Sequence, residues 1–120
     1  MGLHTFTVSR RFRRHLKKLI AGSASVRTLY DSGKLITAEK KYNRLCIHYA
    51  ECRILLSRKA DELETKNVPK ADALKELDET KNAFLAFYAL ADTFKVDISA
   101  QKEDTLAYIE KVSAVFRGKP

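Results

Sequence analysis

The chain has 120 residues, 45% of them apolar, within the common range for a single domain and enough for one core. Its formal charge is +8, unevenly placed: residues 1–60 carry fourteen Lys/Arg against three Asp/Glu, and residues 61–120 carry nine against twelve. Two cysteines exclude a disulfide framework, and no apolar run reaches the ~18–20 residues of a membrane span.

Strand signals are nearly absent. Four Gly and two Pro punctuate the chain, and apolar residues recur at three and four rather than at two. The expected fold is all-α: a four-helix up-down bundle built on a long antiparallel hairpin, with helices over about 9–31, 37–66, 68–95 and 99–117. It forms a single domain over 1–120. Residues 1–8 read as an extended N-terminal arm with Phe6 and Val8 available to pack, and 118–120 as a short tail.

The first helix opens with a cationic cluster. Between Ser9 and Lys18 stand six Lys/Arg, and the first acidic residue is Asp31. A helix starting at Ser9 places Arg10, Arg11 and Arg13 in its first turn, at the positive end of the macrodipole, at a cost of ~0.3–1 kcal/mol each. An external anion is the simplest compensation. Phe12, Leu16, Leu19, Ile20, Ser23, Val26 and Tyr30 fall on the opposite arc, so the helix is amphipathic. Asp31-Ser32-Gly33 ends it, with Gly33 suited to a left-handed stop. This helix either docks on the bundle or projects from it.

The second helix carries the stripe Ala38, Tyr42, Leu45, Tyr49, Cys52, Leu56 and Leu63, interrupted by Lys59. Arg53 lies at the stripe's edge, as a snorkelling stem or half of an ion pair. Asn67-Val68-Pro69 breaks the chain, and Pro69 suits a helix start. The third helix is acidic at its opening, where acid is favoured. From Ala83 to Phe94 it is apolar almost all round, which makes it either the bundle centre or an oligomer contact through Phe84, Phe87, Tyr88 and Phe94. Asp97 or Ser99 caps the fourth helix, whose inner face is Leu106, Ile109, Val112, Val115 and Phe116. The natural assembly is a hairpin of the second and third helices with the first and fourth packed against it.

Catalytic and metal constellations are missing. The glycines at 2, 22, 33 and 118 build no phosphate loop. His4, His15 and His48 stand in no metal motif; His48 and Cys52 are four apart, but two ligands make no zinc site. Asp61-x-x-Glu64 and Glu76-x-x-Glu79 flank the break, as solvated helix ends rather than a magnesium cage. The chain is expected to be no enzyme and to use no metal or cofactor. Cys46 and Cys52 point about 240° apart on a helix and stay reduced, which places the chain in an intracellular compartment. The N-terminus shares the Arg-rich character of a mitochondrial presequence, lacks a secretory apolar stretch, and misses the myristoylation pattern at Phe6.

The functional expectation follows from charge. Arg10, Arg11, Arg13, Arg14, Lys17 and Lys18 form an anion-binding face, extended on the second helix by Lys40, Lys41, Arg44, Arg58 and Lys59. Asn and Gln are absent from the first helix, so backbone binding to DNA or RNA with little sequence preference is expected. The alternative is an interaction or assembly module whose basic face meets an acidic protein surface, including the acidic half of another copy in a homo-oligomer. An anionic membrane surface ranks behind these.

Overall fold

In the computed structural model, which describes the backbone of residues 2–120 and the side chains of residues 8–120, the chain forms four helices: α1 (Gly2–Asp31), α2 (Leu35–Thr65), α3 (Lys70–Thr93) and α4 (Ser99–Arg117). No strand occurs among the described residues. The helices run up, down, up, down, as the short connections require.

The first correction concerns the N-terminus. α1 begins at Gly2, so residues 2–8 are helical rather than an extended arm. No glycine or proline between Leu3 and Ala21 stops the pattern from continuing toward the N-terminus. Arg10, Arg11 and Arg13 therefore lie two turns or more inside the helix, and the first-turn dipole penalty does not apply to them. Val8 is half-buried; the Phe6 side chain lies outside the described residues.

α1 docks. Phe12, Leu16, Leu19, Ser23 and Val26 are buried against the bundle. Its closest partner is α2. Gly22 faces Leu45 in this contact: a Cβ there would stand 2.4 Å from Leu45 Cδ1, so a larger residue would require the leucine side chain to shift. α2 and α3 meet differently. Tyr42, Tyr49, Phe84 and Phe87 fill the space between them, and the two backbones approach closely at few points. α1 also packs on α3, and α4 packs on α3 from the other side. α4 is tied to α2 where the Tyr49 hydroxyl donates to Gln101 Oε1 at 3.0 Å and Arg53 Nε donates to Thr105 Oγ1 at 3.2 Å. Arg53 is thus a snorkelling side chain. On α4 the inner face is Thr105, Ile109, Ser113 and Phe116; Val115, expected inside, is exposed.

Three helices end in one way. Gly33, Asn67 and Lys95 have φ of 81°, 50° and 58°. In each turn the next residue's N–H reaches back five residues: Lys34 to the Leu29 carbonyl, Val68 to Leu63, Val96 to Ala91. Glycine and asparagine suit this left-handed position, and lysine does not. At the start of α4 the Asp97 carboxylate accepts both the Ser99 N–H and hydroxyl, at 3.1 and 2.8 Å, which holds its pKa below the usual carboxylate range. Lys95→Gly relieves the left-handed strain, and urea denaturation should show it more stable by about 1 kcal/mol; an equal or lower midpoint would contradict that account.

Candidate anion-binding groove

The six cations of the 9–18 segment do not share one face. Successive residues turn by about 100°, and α1 lies between α2 and α3, so the cluster splits. Arg13 and Lys17 turn toward α3 and line a groove with Glu76 and Glu79. Arg13 comes within 4.0 Å of Glu76. Arg11 turns toward α2 and donates to Glu51 Oε2 at 2.7 Å. Arg14 and Lys18 are exposed one turn apart on the α2 side, and Arg10 is exposed.

Lys59 overturns its assignment to the binding surface. Only 7% of it is exposed. Its ammonium donates to Ser9 Oγ at 3.0 Å and pairs with Glu76 Oε1 at 3.2 Å. The apolar stripe carries it inward, and Glu76, expected on a solvated acidic end, supplies the counter-charge. Glu64, of the other acidic pair, meets Lys119 at 2.6 Å. Arg58 is exposed but stands fourteen residues, ~21 Å, along α2 from Arg44, so it joins no common site. Phe84, Phe87 and Tyr88 are also reassigned: each is at most 1% exposed and forms the centre of this one chain, not an oligomer contact. Phe94 is half-buried against Tyr30 and Tyr42.

The remaining cations converge on the seam between α1 and α2. An open groove of about 540 Å³ is lined by Lys18, Lys41, Arg44 and His48, with Ala21, Gly22, Ser25 and Leu45 at its base. No carboxylate lines it. Lys18, Lys41 and Arg44 form no ion pair among the described residues. Lys40 lies exposed one turn before Arg44. At Gly22 a methyl group of Leu45 takes the space a Cβ would fill, and Lys18 and Arg44 line the same groove beside it.

Along the same seam His15 and His48 bring their Nδ1 atoms to 2.9 Å. One ring donates and the other accepts, an arrangement that needs at least one neutral imidazole. Both pKa values lie below the usual imidazole value. Burial is the first cause for each. For His15 the next are His48, then Glu51 pulling the other way, then Arg14 and Arg11; for His48 the next is Lys18. Periodicity along one helix does not show this cross-helix contact. Burial also pushes the Cys52 thiol up to about 12 and raises Cys46, so neither is a ready thiolate at neutral pH. Both cysteines are free. Among the described residues no three His, Cys, Asp or Glu converge as metal ligands, and no helix is long and apolar enough to cross a membrane.

Comparison with protein-family models, with curated proteins and with solved structures finds no match for this chain.

The histidine pair makes stability depend on pH. The unfolded chain takes up these protons near pH 6.5, the folded pair only at lower pH. Its contribution is therefore complete above pH ~6.5 and is lost as pH falls from there through the folded values. Denaturation midpoints should drop between about pH 7.5 and 5.5, and less so in His15→Gln/His48→Gln; equal slopes in both proteins would overturn the assignment. At the buried lysine, Glu76→Ala should destabilise by roughly 1–3 kcal/mol by leaving a buried charge unpaired. Lys59→Met, which removes that charge, should cost less in the same melts.

Proposed function

We propose that this protein is a non-catalytic binding protein that holds nucleic-acid backbone in the α1/α2 groove. The observation that carries the reading is the groove's lining: two lysines, one arginine and a histidine, with no carboxylate to neutralise them. Like charges gathered without counter-charges raise one another's energy, and an external polyanion relieves that repulsion. Arg44 adds a planar fork suited to a phosphate's paired oxygens, and the lysines act as point charges on either side. Arg14, one turn before Lys18, and Lys40, one turn before Arg44, extend the cationic track along both helices.

The lining holds no Asn or Gln and no Phe, Tyr or Trp, and its one imidazole, His48, is engaged with His15. It therefore offers neither the paired donor and acceptor that reads adenine nor a platform for stacked bases. Phosphate contact without base readout gives little sequence preference. An acidic protein surface meets the same cations, but its fixed spacing of carboxylates makes binding partner-specific and indifferent to nuclease.

Fluorescence anisotropy with labelled duplexes of unrelated sequence tests the reading. About four phosphate contacts give a log–log salt slope near −4, the same for each sequence. Lys41→Glu/Arg44→Glu should weaken binding by at least roughly tenfold and flatten the slope by about 2, whereas Lys111→Glu on exposed α4 should leave it unchanged. Binding that survives the groove reversal, or that differs widely between sequences, would sink the proposal.

A further inference from the structure

The face of α2 turned away from the core is unlike the rest of the surface. Ile36, Ile47 and Ile54 are 74%, 63% and 69% exposed. They lie on one ridge, because eleven and seven residues bring a helix back to within about 20° of the same direction. Lys40, Ala50 and Asp61 share this ridge, and each is exposed. Exposed residues follow one another along it at steps of three and four, the spacing that packs a helix against another helix. Among the described residues no other helix covers the ridge: α1 meets α2 through Leu45 and His48, and α4 meets it through Tyr49 and Arg53 on the other flank. Single exposed apolar residues need no explanation, but three isoleucines on one ridge spanning about 27 Å do.

We infer that this ridge pairs with the same ridge of a second copy, antiparallel, about a two-fold axis beside Ala50. The charge pattern selects this occupant and this register. With the axis between Ala50 and Glu51, Ile47 of one copy is level with Ile54 of the other, and Lys40 is level with Asp61. Two-fold symmetry makes each pairing occur twice. Arg44 then lies level with Ser57, and the other copy's Arg58 stands one residue further along the same flank, a like-charge approach that the doubled Lys40–Asp61 pairing offsets. Parallel pairing would set Lys40 against Lys40 and Asp61 against Asp61, which is unfavourable. Ala50, the smallest side chain on the ridge, falls at the crossing, where two helices must come closest. Lys40 lies at the border between this ridge and the groove's cationic track, but Ile47 and Ile54 stand outside the groove, so their substitution tests the inference separately from the proposed nucleic-acid contact.

Light scattering on nuclease-treated protein tests it. The expected mass is twice the 13.7 kDa of one chain. Ile47→Asp/Ile54→Asp should give a monomer with unchanged far-UV circular dichroism, since both positions are exposed and substitution leaves the core intact. Lys40→Asp and Asp61→Lys should each weaken the dimer roughly 3- to 10-fold, and the two together should restore it. Four outcomes overturn the inference: a monomer up to the hundred-micromolar range, a dimer indifferent to Ile47 and Ile54, charge reversals that do not rescue one another, and a monomer that binds phosphatidylserine vesicles through the two isoleucines.

Discussion

Tyr49 stacks on Phe87 with ring centroids 4.3 Å apart, and Tyr42 stacks on Phe87 at 5.4 Å. Phe84 and Tyr88 close on Tyr49 edge-on. This aromatic layer sets the distance between α2 and α3, because flat rings keep helix backbones apart while burying large apolar areas. The Tyr49 hydroxyl satisfies its polarity by donating to Gln101 and accepting from Tyr88 at 3.1 Å, which links the layer to α4. With α2 and α3 held apart, α1 sits in the broad furrow on one flank and α4 in the furrow on the other. Gly22 then faces Leu45 where α1 meets α2. The groove, the histidine pair and the ion pair of Arg11 with Glu51 all lie on that one seam.

Charge is sorted by the same geometry. α3 brings Glu76 and Glu79 to the side where it meets α1, so Arg13 and Lys59 find Glu76 there. Where α2 meets α1, its acidic contribution is Glu51, and Arg11 engages it. Further along the seam Lys18, Lys41 and Arg44 have no acid to meet among the groove's lining residues. The basic excess of residues 1–60 is thus partly used inside the fold and partly left facing outward. Net charge alone does not make that division; packing does.

What was legible in the sequence was what depends on one helix at a time. The four elements, the stripe through Ala38, Tyr42, Leu45, Tyr49 and Cys52, and the left-handed stop at Gly33 all follow from local spacing. The all-round apolar run of α3 correctly required several neighbours. Contacts between helices were not legible. Six cations in ten residues look like one patch on a helical wheel until a second and a third helix claim opposite edges of it. Lys59 carried a signal in its place within an apolar stripe, but its partner Glu76 stands on another helix. His15 and His48 are 33 residues apart, and nothing in either neighbourhood announces the other. The N-terminal start of α1 was missed because the charged cluster masked a helical pattern that simply continues upstream.

The two proposed surfaces bear on one another through symmetry. An antiparallel pairing of α2 with its copy requires a two-fold axis perpendicular to both helices and lying in the plane between them. Rotation about that axis reverses the helix direction and exchanges the copies, but it leaves unchanged which lateral side each α1 occupies. Both α1 helices then lie on one side of the dimer, and both cationic grooves open toward that side. In such a dimer the proposed nucleic-acid contact in one groove would run on toward the other. Two modest electrostatic sites joined in this way act at high effective concentration without any new contact. Under the two proposals together, a groove that holds backbone without base readout would gain length along the polyanion by doubling through the exposed isoleucines of α2.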